Sequence, residues 1–107
     1  MQDLETIKID FNGLKENKLD ESWLITFGWA IKKILKAVFG NVALPVEVRG
    51  SQGDVRSFLQ TLSAEKGYIQ ALKAHGLDNP QTYRNKANLN KAVGSFERNT
   101  GLQWPFK

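Results

Sequence analysis

Side chains that could do chemistry are few in this chain. There is one histidine, His75, and no cysteine. Disulfides and thiolate metal sites are therefore excluded. A single histidine does not assemble the usual nucleophile–base or zinc constellations. The 11 carboxylates are scattered along the sequence. Glu47 with Asp54, or Asp20 with Glu21, are pairs that could meet in space. His75 falls at an expected helix end, where an imidazolium favours the carbonyl dipole. Gly50 and Gly53 before a helix form too short a motif to cradle phosphate. The expectation is a non-enzymatic protein with no catalytic residue, no metal ligand set and no cofactor.

Charge points elsewhere. The net charge is +4. Residues 1–53 carry seven basic and seven acidic side chains, and residues 54–107 carry eight and four. Between Gln81 and Arg98, four cations (Arg84, Lys86, Lys91 and Arg98) face Glu97 alone. Such a bias suits nucleic acid or an acidic protein, and equally a solvated face. A helix-turn-helix reading would place Gln81, Thr82, Arg84, Asn85, Lys86 and Asn88 on a recognition helix. The connection from Gly76 to Pro80 is longer than that motif's tight turn.

The second chemical feature is the apolar segment Ser22–Gly40, which holds two of the three tryptophans. At about 100° per residue, Trp23, Leu24, Phe27, Ile31, Ile34, Leu35 and Val38 share one arc. Lys32, Lys33 and Lys36 fall opposite, and Ile25 and Trp29 lie among them. An element covering Trp29, a partner interface and adsorption to a membrane surface are all open readings. The ending Trp104-Pro105-Phe106 is also two-sided. Its large aromatics either seal the core or insert into a neighbouring subunit. Ile25, Trp29, Lys32, Lys36, Trp104 and Phe106 are the candidate protein-interface residues. Arg84, Lys86, Lys91 and Arg98 are the candidates for nucleic acid.

The elements that must position these residues follow from patterning. Thr6–Phe11 alternates as a strand, Asn12-Gly13 turns the chain, and Leu14–Leu19 reads as a loop. Asp20 or Ser22 can cap the long helix, with Glu21 near its positive end. Gly28 lies beside the apolar arc, which implies close packing by another element. Gly40-Asn41 is the stop signal. Val42–Arg49 alternates as a second strand, with Pro45 marking an edge. One long helix between two strands allows a parallel βαβ unit, and antiparallel pairing stays open. After the hinge Gly50–Gly53, Val55, Phe58, Leu59, Leu62, Ile69 and Leu72 have helical spacing, with breaks expected at Ser63 and Gly67. Ser63 is a plausible cap there, with Glu65 just after it. Gly76 ends that region, with Leu77 as the following apolar contact. Asp78-Asn79-Pro80 opens the last helix, which carries Tyr83, Leu89, Ala92, Val93 and Phe96. A break near Asn88 and a glycine stop at Gly101 are expected there.

Residues 76–107 contain Leu77-Asp78-Asn79-Pro80, Thr82-Tyr83-Arg84, Phe96-Glu97-Arg98, Thr100-Gly101 and Trp104-Pro105-Phe106. In these the sequence resembles the ends of short uncharacterised proteins of tailed bacteriophages. The resemblance implies a minor virion or assembly component, or an accessory protein acting on DNA or host machinery, in host cytoplasm or virion. It transfers no functional residue.

The expected architecture is α+β: two short strands packed with one long central helix and two or three C-terminal helices. It forms one domain over residues 1–107, with a strand–helix–strand part (1–50) and a helical part (51–107). The expected partners are other protein subunits, in a homo- or hetero-oligomer, with nucleic acid as the alternative. The polar opening residues and the three lysines of the long helix argue for a cytoplasmic protein and against a membrane.

Overall fold

A computed structural model describes residues 6–16 and 22–106. The capping expectations for Asp20 and Glu21, and their pairing, fall outside the described residues. The fold is α+β. In chain order it runs β1 (Ile7–Asp10), α1 (Phe11–Glu16), α2 (Ser22–Phe39), β2 (Val46–Arg49), α3 (Gln52–His75) and α4 (Pro80–Thr100).

The strands pair in parallel, with Ile7 opposite Val46 and Asp10 opposite Arg49. This is the βαβ arrangement, with α2 inside the crossover. Ile7 and Ile9 are buried while Lys8 and Asp10 face out, as the alternation requires. β2 is shorter than expected: residues 42–45 are irregular, and the strand starts only after Pro45. Pro45 has no N–H, but its carbonyl accepts the Ile7 N–H at 2.9 Å, so the proline sits at the foot of the ladder.

The expected turn at Asn12-Gly13 and the described part of the expected loop, residues 14–16, are instead the six-residue helix α1, which also takes Phe11 from the expected strand. Asp10 Oδ1 accepts the Asn12 N–H at 3.1 Å, satisfying one free donor of that helix. α2 matches its expected span. It ends where Asn41 adopts a left-handed conformation (φ 54°) and the Val42 N–H reaches the Ala37 carbonyl.

α3 is one uninterrupted helix of 24 residues, so the breaks expected at Ser63 and Gly67 do not occur. Its cap is Ser51, whose hydroxyl accepts the Asp54 N–H. Gly67 serves packing instead: a Cβ there would meet Asn85 Oδ1 of α4 at 3.1 Å. α4 is likewise continuous through Asn88. It is capped by Asn79 with Pro80 in its first turn, and it closes at Gly101 (φ 73°). Leu77 stays exposed, so the apolar contact expected after Gly76 is not made.

α3 and α4 form an antiparallel hairpin. Ser57 meets Asn99, Thr61 bonds the Ala92 carbonyl, Gly67 faces Asn85, and Thr82 bonds the Ala71 carbonyl. These partners run in opposite directions along the two helices, which rules out the crossed geometry of a helix-turn-helix. Much of this seam is hydroxylic. Buried Thr61 and Thr100 donate to carbonyls four residues back, so neither hydroxyl is left unpaired. Thr82 thus occupies the buried position, and Tyr83, expected on the apolar face, is exposed.

The core is an aromatic knot with one ring from each of five segments: Phe11, Phe27, Phe58, Phe96 and Trp104. Neighbouring centroids lie 5.1–6.2 Å apart, mostly tilted or edge-on. The knot joins the strand–helix–strand half to the helical half.

Candidate functional site

The segment 101–106 folds back into the core. Trp104 is completely buried, so its assignment to an interface is corrected: it is a structural residue. Its backbone N–H donates to Glu97 Oε2 at 3.0 Å, and its indole Nε1–H donates to Glu65 Oε1 at 3.2 Å. Pro105 lies over Gly28, where a Cβ would approach the proline ring at 3.3 Å. This close approach explains a glycine inside α2 despite a helix-propensity cost of about 1 kcal/mol. Phe106 is half-buried against the core, with Lys32 Nζ 5.9 Å from its ring centre.

None of this covers the outer side of α2. Trp29 is 50% exposed and Ile25 75% exposed. Their spacing explains why. Ile25, Trp29, Lys32 and Lys36 follow the i, i+4, i+7, i+11 pattern, so they form one stripe about 16 Å long. The buried residues Phe27, Ile31 and Ile34 occupy the other side of the helix. The structure therefore brings four of the six proposed interface residues together. Trp104 belongs to the core, and Phe106 lies toward α3 with the neighbouring groove.

Three further residues belong to this surface: Lys33, already expected on this face though not among the interface candidates, and Val42 and Leu44, which sequence reasoning had not placed there. Lys33 Nζ stands 4.7 Å from the Trp29 ring centre, a cation–π contact. Its i+4 spacing from Trp29 was the available signal. Val42 and Leu44, expected in β2, come from the irregular segment after α2. They form the far wall of an open groove of about 550 Å³ beside Trp29 and Ala37. α2 and the segment 40–45 contain no carboxylate, so among the described residues this surface is apolar at its centre and cationic at its edge.

The four residues proposed for nucleic acid divide. Arg84, Lys91 and Arg98, spaced by seven, form a straight stripe on the exposed side of α4. Lys86 is turned away and sits over Tyr68, 4.9 Å from its ring centre. It stands on α4's inner flank rather than on that stripe.

Glu47 and Asp54 each take a cation as partner instead of each other. Glu47 bonds Arg49 at 2.8 Å, and buried Asp54 bonds Lys15 at 2.7 Å, fastening α1 to the start of α3. His75 lies exposed in the last turn of α3. The acid that sequence reasoning missed is Glu65, which is only 5% exposed. Burial pushes its carboxyl above the usual range, opposed by the Trp104 hydrogen bond and the charge of Lys86. Its partner lies 39 residues away, so no local pattern announced it.

Nothing matches this chain among protein-family models, curated proteins or solved structures. Among the described residues, no helix is long and apolar enough to cross a membrane.

Proposed function

We propose that this chain is a non-enzymatic protein-interaction module. Its outer α2 face docks an acidic, partly apolar segment of another protein chain. The observation that carries this reading is Trp29, half exposed on a surface where every charge among the described lining residues is positive. Tryptophan anchors are favoured in the buried centres of interfaces, and complementary charge steers and orients the partner. The setting suggested by the resemblance in residues 76–107 is that of a minor phage virion or assembly protein. In the fold, Asn79, Pro80, Gly101 and Trp104 act as caps and core.

The test is a titration of the labelled protein with acidic amphipathic peptides, followed through the three indole N–H signals. Saturable movement of the Trp29 signal, lost in Ile25→Ala and in Lys33→Glu, is the expected result. Movement of no indole at any peptide concentration would sink the docking surface.

The α4 stripe supports a second reading, in which Arg84, Lys91 and Arg98 contact phosphates along about 21 Å of helix. Binding to a DNA duplex would then weaken with salt at a log–log slope of about −0.9 per phosphate contact. Absence of any duplex shift at low salt rules it out.

A further inference from the structure

A second groove, of about 380 Å³, lies between α2 and α3 on the other side of Lys32 and Lys36. We infer that it binds a small amphipathic anion: an elongated apolar body with a carboxylate at one end and a hydroxyl at the other.

The groove is built for such a molecule along its whole length. Its α3 side is formed by Glu65, Ile69 and Lys73, spaced by four residues, which gives about 12 Å from end to end. Leu35 and Ile69 form the middle. Phe106 stands at the Glu65 end, and Phe39 at the Lys73 end, where Lys73 Nζ is 4.5 Å from its ring centre. These walls give an apolar body a place out of water.

The two ends differ in chemistry. At one end Glu65 is nearly buried, and Oε1 is occupied by the Trp104 indole N–H. Oε2 has no hydrogen-bond partner among the described residues. No buried side-chain oxygen there is left unpaired, so Oε2 opens toward the groove that Glu65 lines. A nearly buried acceptor with a free position asks for a donor, which a ligand hydroxyl supplies. At the other end Lys73 and Lys36 reach the rim from opposite helices, and a carboxylate between them makes charge-assisted hydrogen bonds. An apolar molecule alone would leave both ends unsatisfied. A bare anion would leave the walls wet.

The groove is separate from the one beside Trp29, although Lys32 and Lys36 border both. The probe is ω-hydroxydecanoate, titrated to about 1 mM into the full chain while the three indole N–H signals are followed. The signals are assigned by single Trp→Phe variants. The Trp104 signal is expected to move saturably, because its N–H shares the Glu65 carboxylate with the ligand. The Trp29 signal is expected to stay still. Decanoate, lacking the hydroxyl, should bind several-fold more weakly. The double variant K36E/K73E, altered only at exposed rim positions, should weaken binding by about tenfold or more with its ligand-free spectrum retained. No saturable movement of Trp104 overturns the proposal. So does equal affinity for the K36E/K73E variant, or movement of Trp29 in place of Trp104.

Discussion

Replacing Trp104 with phenylalanine tests the core most directly. The substitution keeps an aromatic ring in the knot but removes the indole N–H that Glu65 Oε1 accepts at 3.2 Å. Two costs add. A hydrogen bond to a charged acceptor contributes about 1.5–3 kcal/mol, and its loss leaves a nearly buried carboxyl without that partner. The smaller ring leaves a void of roughly 40 Å³, which at about 24 cal/mol per Å³ costs about 1 kcal/mol. The sum is about 2.5–4 kcal/mol, a large share of the total of roughly 5–15 kcal/mol expected for a domain. Glu65→Leu alone leaves the indole donor unpaired and should cost about 1–3 kcal/mol. The double variant removes both members of the pair. Its loss should fall short of the sum of the single losses by at least about 1 kcal/mol. Urea unfolding followed by circular dichroism at the helix band measures all four corners of this cycle without relying on tryptophan emission. Losses that add within about 0.5 kcal/mol would show that the Glu65–Trp104 bond contributes nothing beyond packing, and the reasoning would be wrong.

Gly28→Leu should expel Pro105 and with it Trp104; the check is a red-shifted, more quenchable emission in a W23F/W29F background. The buried carboxyl of Glu65 titrates above its unfolded value. Through that window the folded state holds the extra proton, so this group's contribution makes stability fall as pH rises. Urea midpoints measured across the window should show that slope, and Glu65→Gln should remove it. Trp29→Ala should change stability by no more than about 0.5 kcal/mol, whereas Phe27→Ala, two residues earlier, should cost about 3–5 kcal/mol. Equal losses for the two would place Trp29 in the core and remove the basis of the docking surface.

Much of the architecture was legible because its signals are local. The bounds of α2, the alternation of Ile7 and Ile9, the Asn79-Pro80 start and the Gly101 stop each sit within a few residues of the structure they specify. The failures have a common cause in tertiary contacts. Gly67 looked like a break, yet it lies in mid-helix where the close approach of Asn85 from α4 leaves a Cβ little room. Asn12-Gly13 looked like a turn, yet Asp10 caps a short helix there, and Phe11 fills the middle of the aromatic knot. Tyr83 looked apolar enough to be buried, but Thr82 takes the inward position because two carbonyls receive its hydroxyl. At the site, the Ile25–Trp29–Lys32–Lys36 stripe could be drawn from periodicity alone. Whether anything covered it depended on the path of residues 101–106, and that path is set by Glu65 and Glu97, whose bonds to Trp104 cross 39 and 7 residues.

The aromatic knot also dictates an order of assembly. The α3–α4 hairpin needs only a short loop to close and can form early from near neighbours in sequence. Phe11 and Trp104 join the same cluster only after most of the chain has been drawn together, because they come from its opposite parts. β1, α1 and the segment 101–106 are therefore expected to be the last to gain full protection against amide exchange during refolding. The hairpin comes first, as a scaffold with one side still bare. Until β1, α1 and the closing segment arrive, Phe58 and Phe96 stay open to solvent, and the chain is most vulnerable to association with other unfolded copies in that interval.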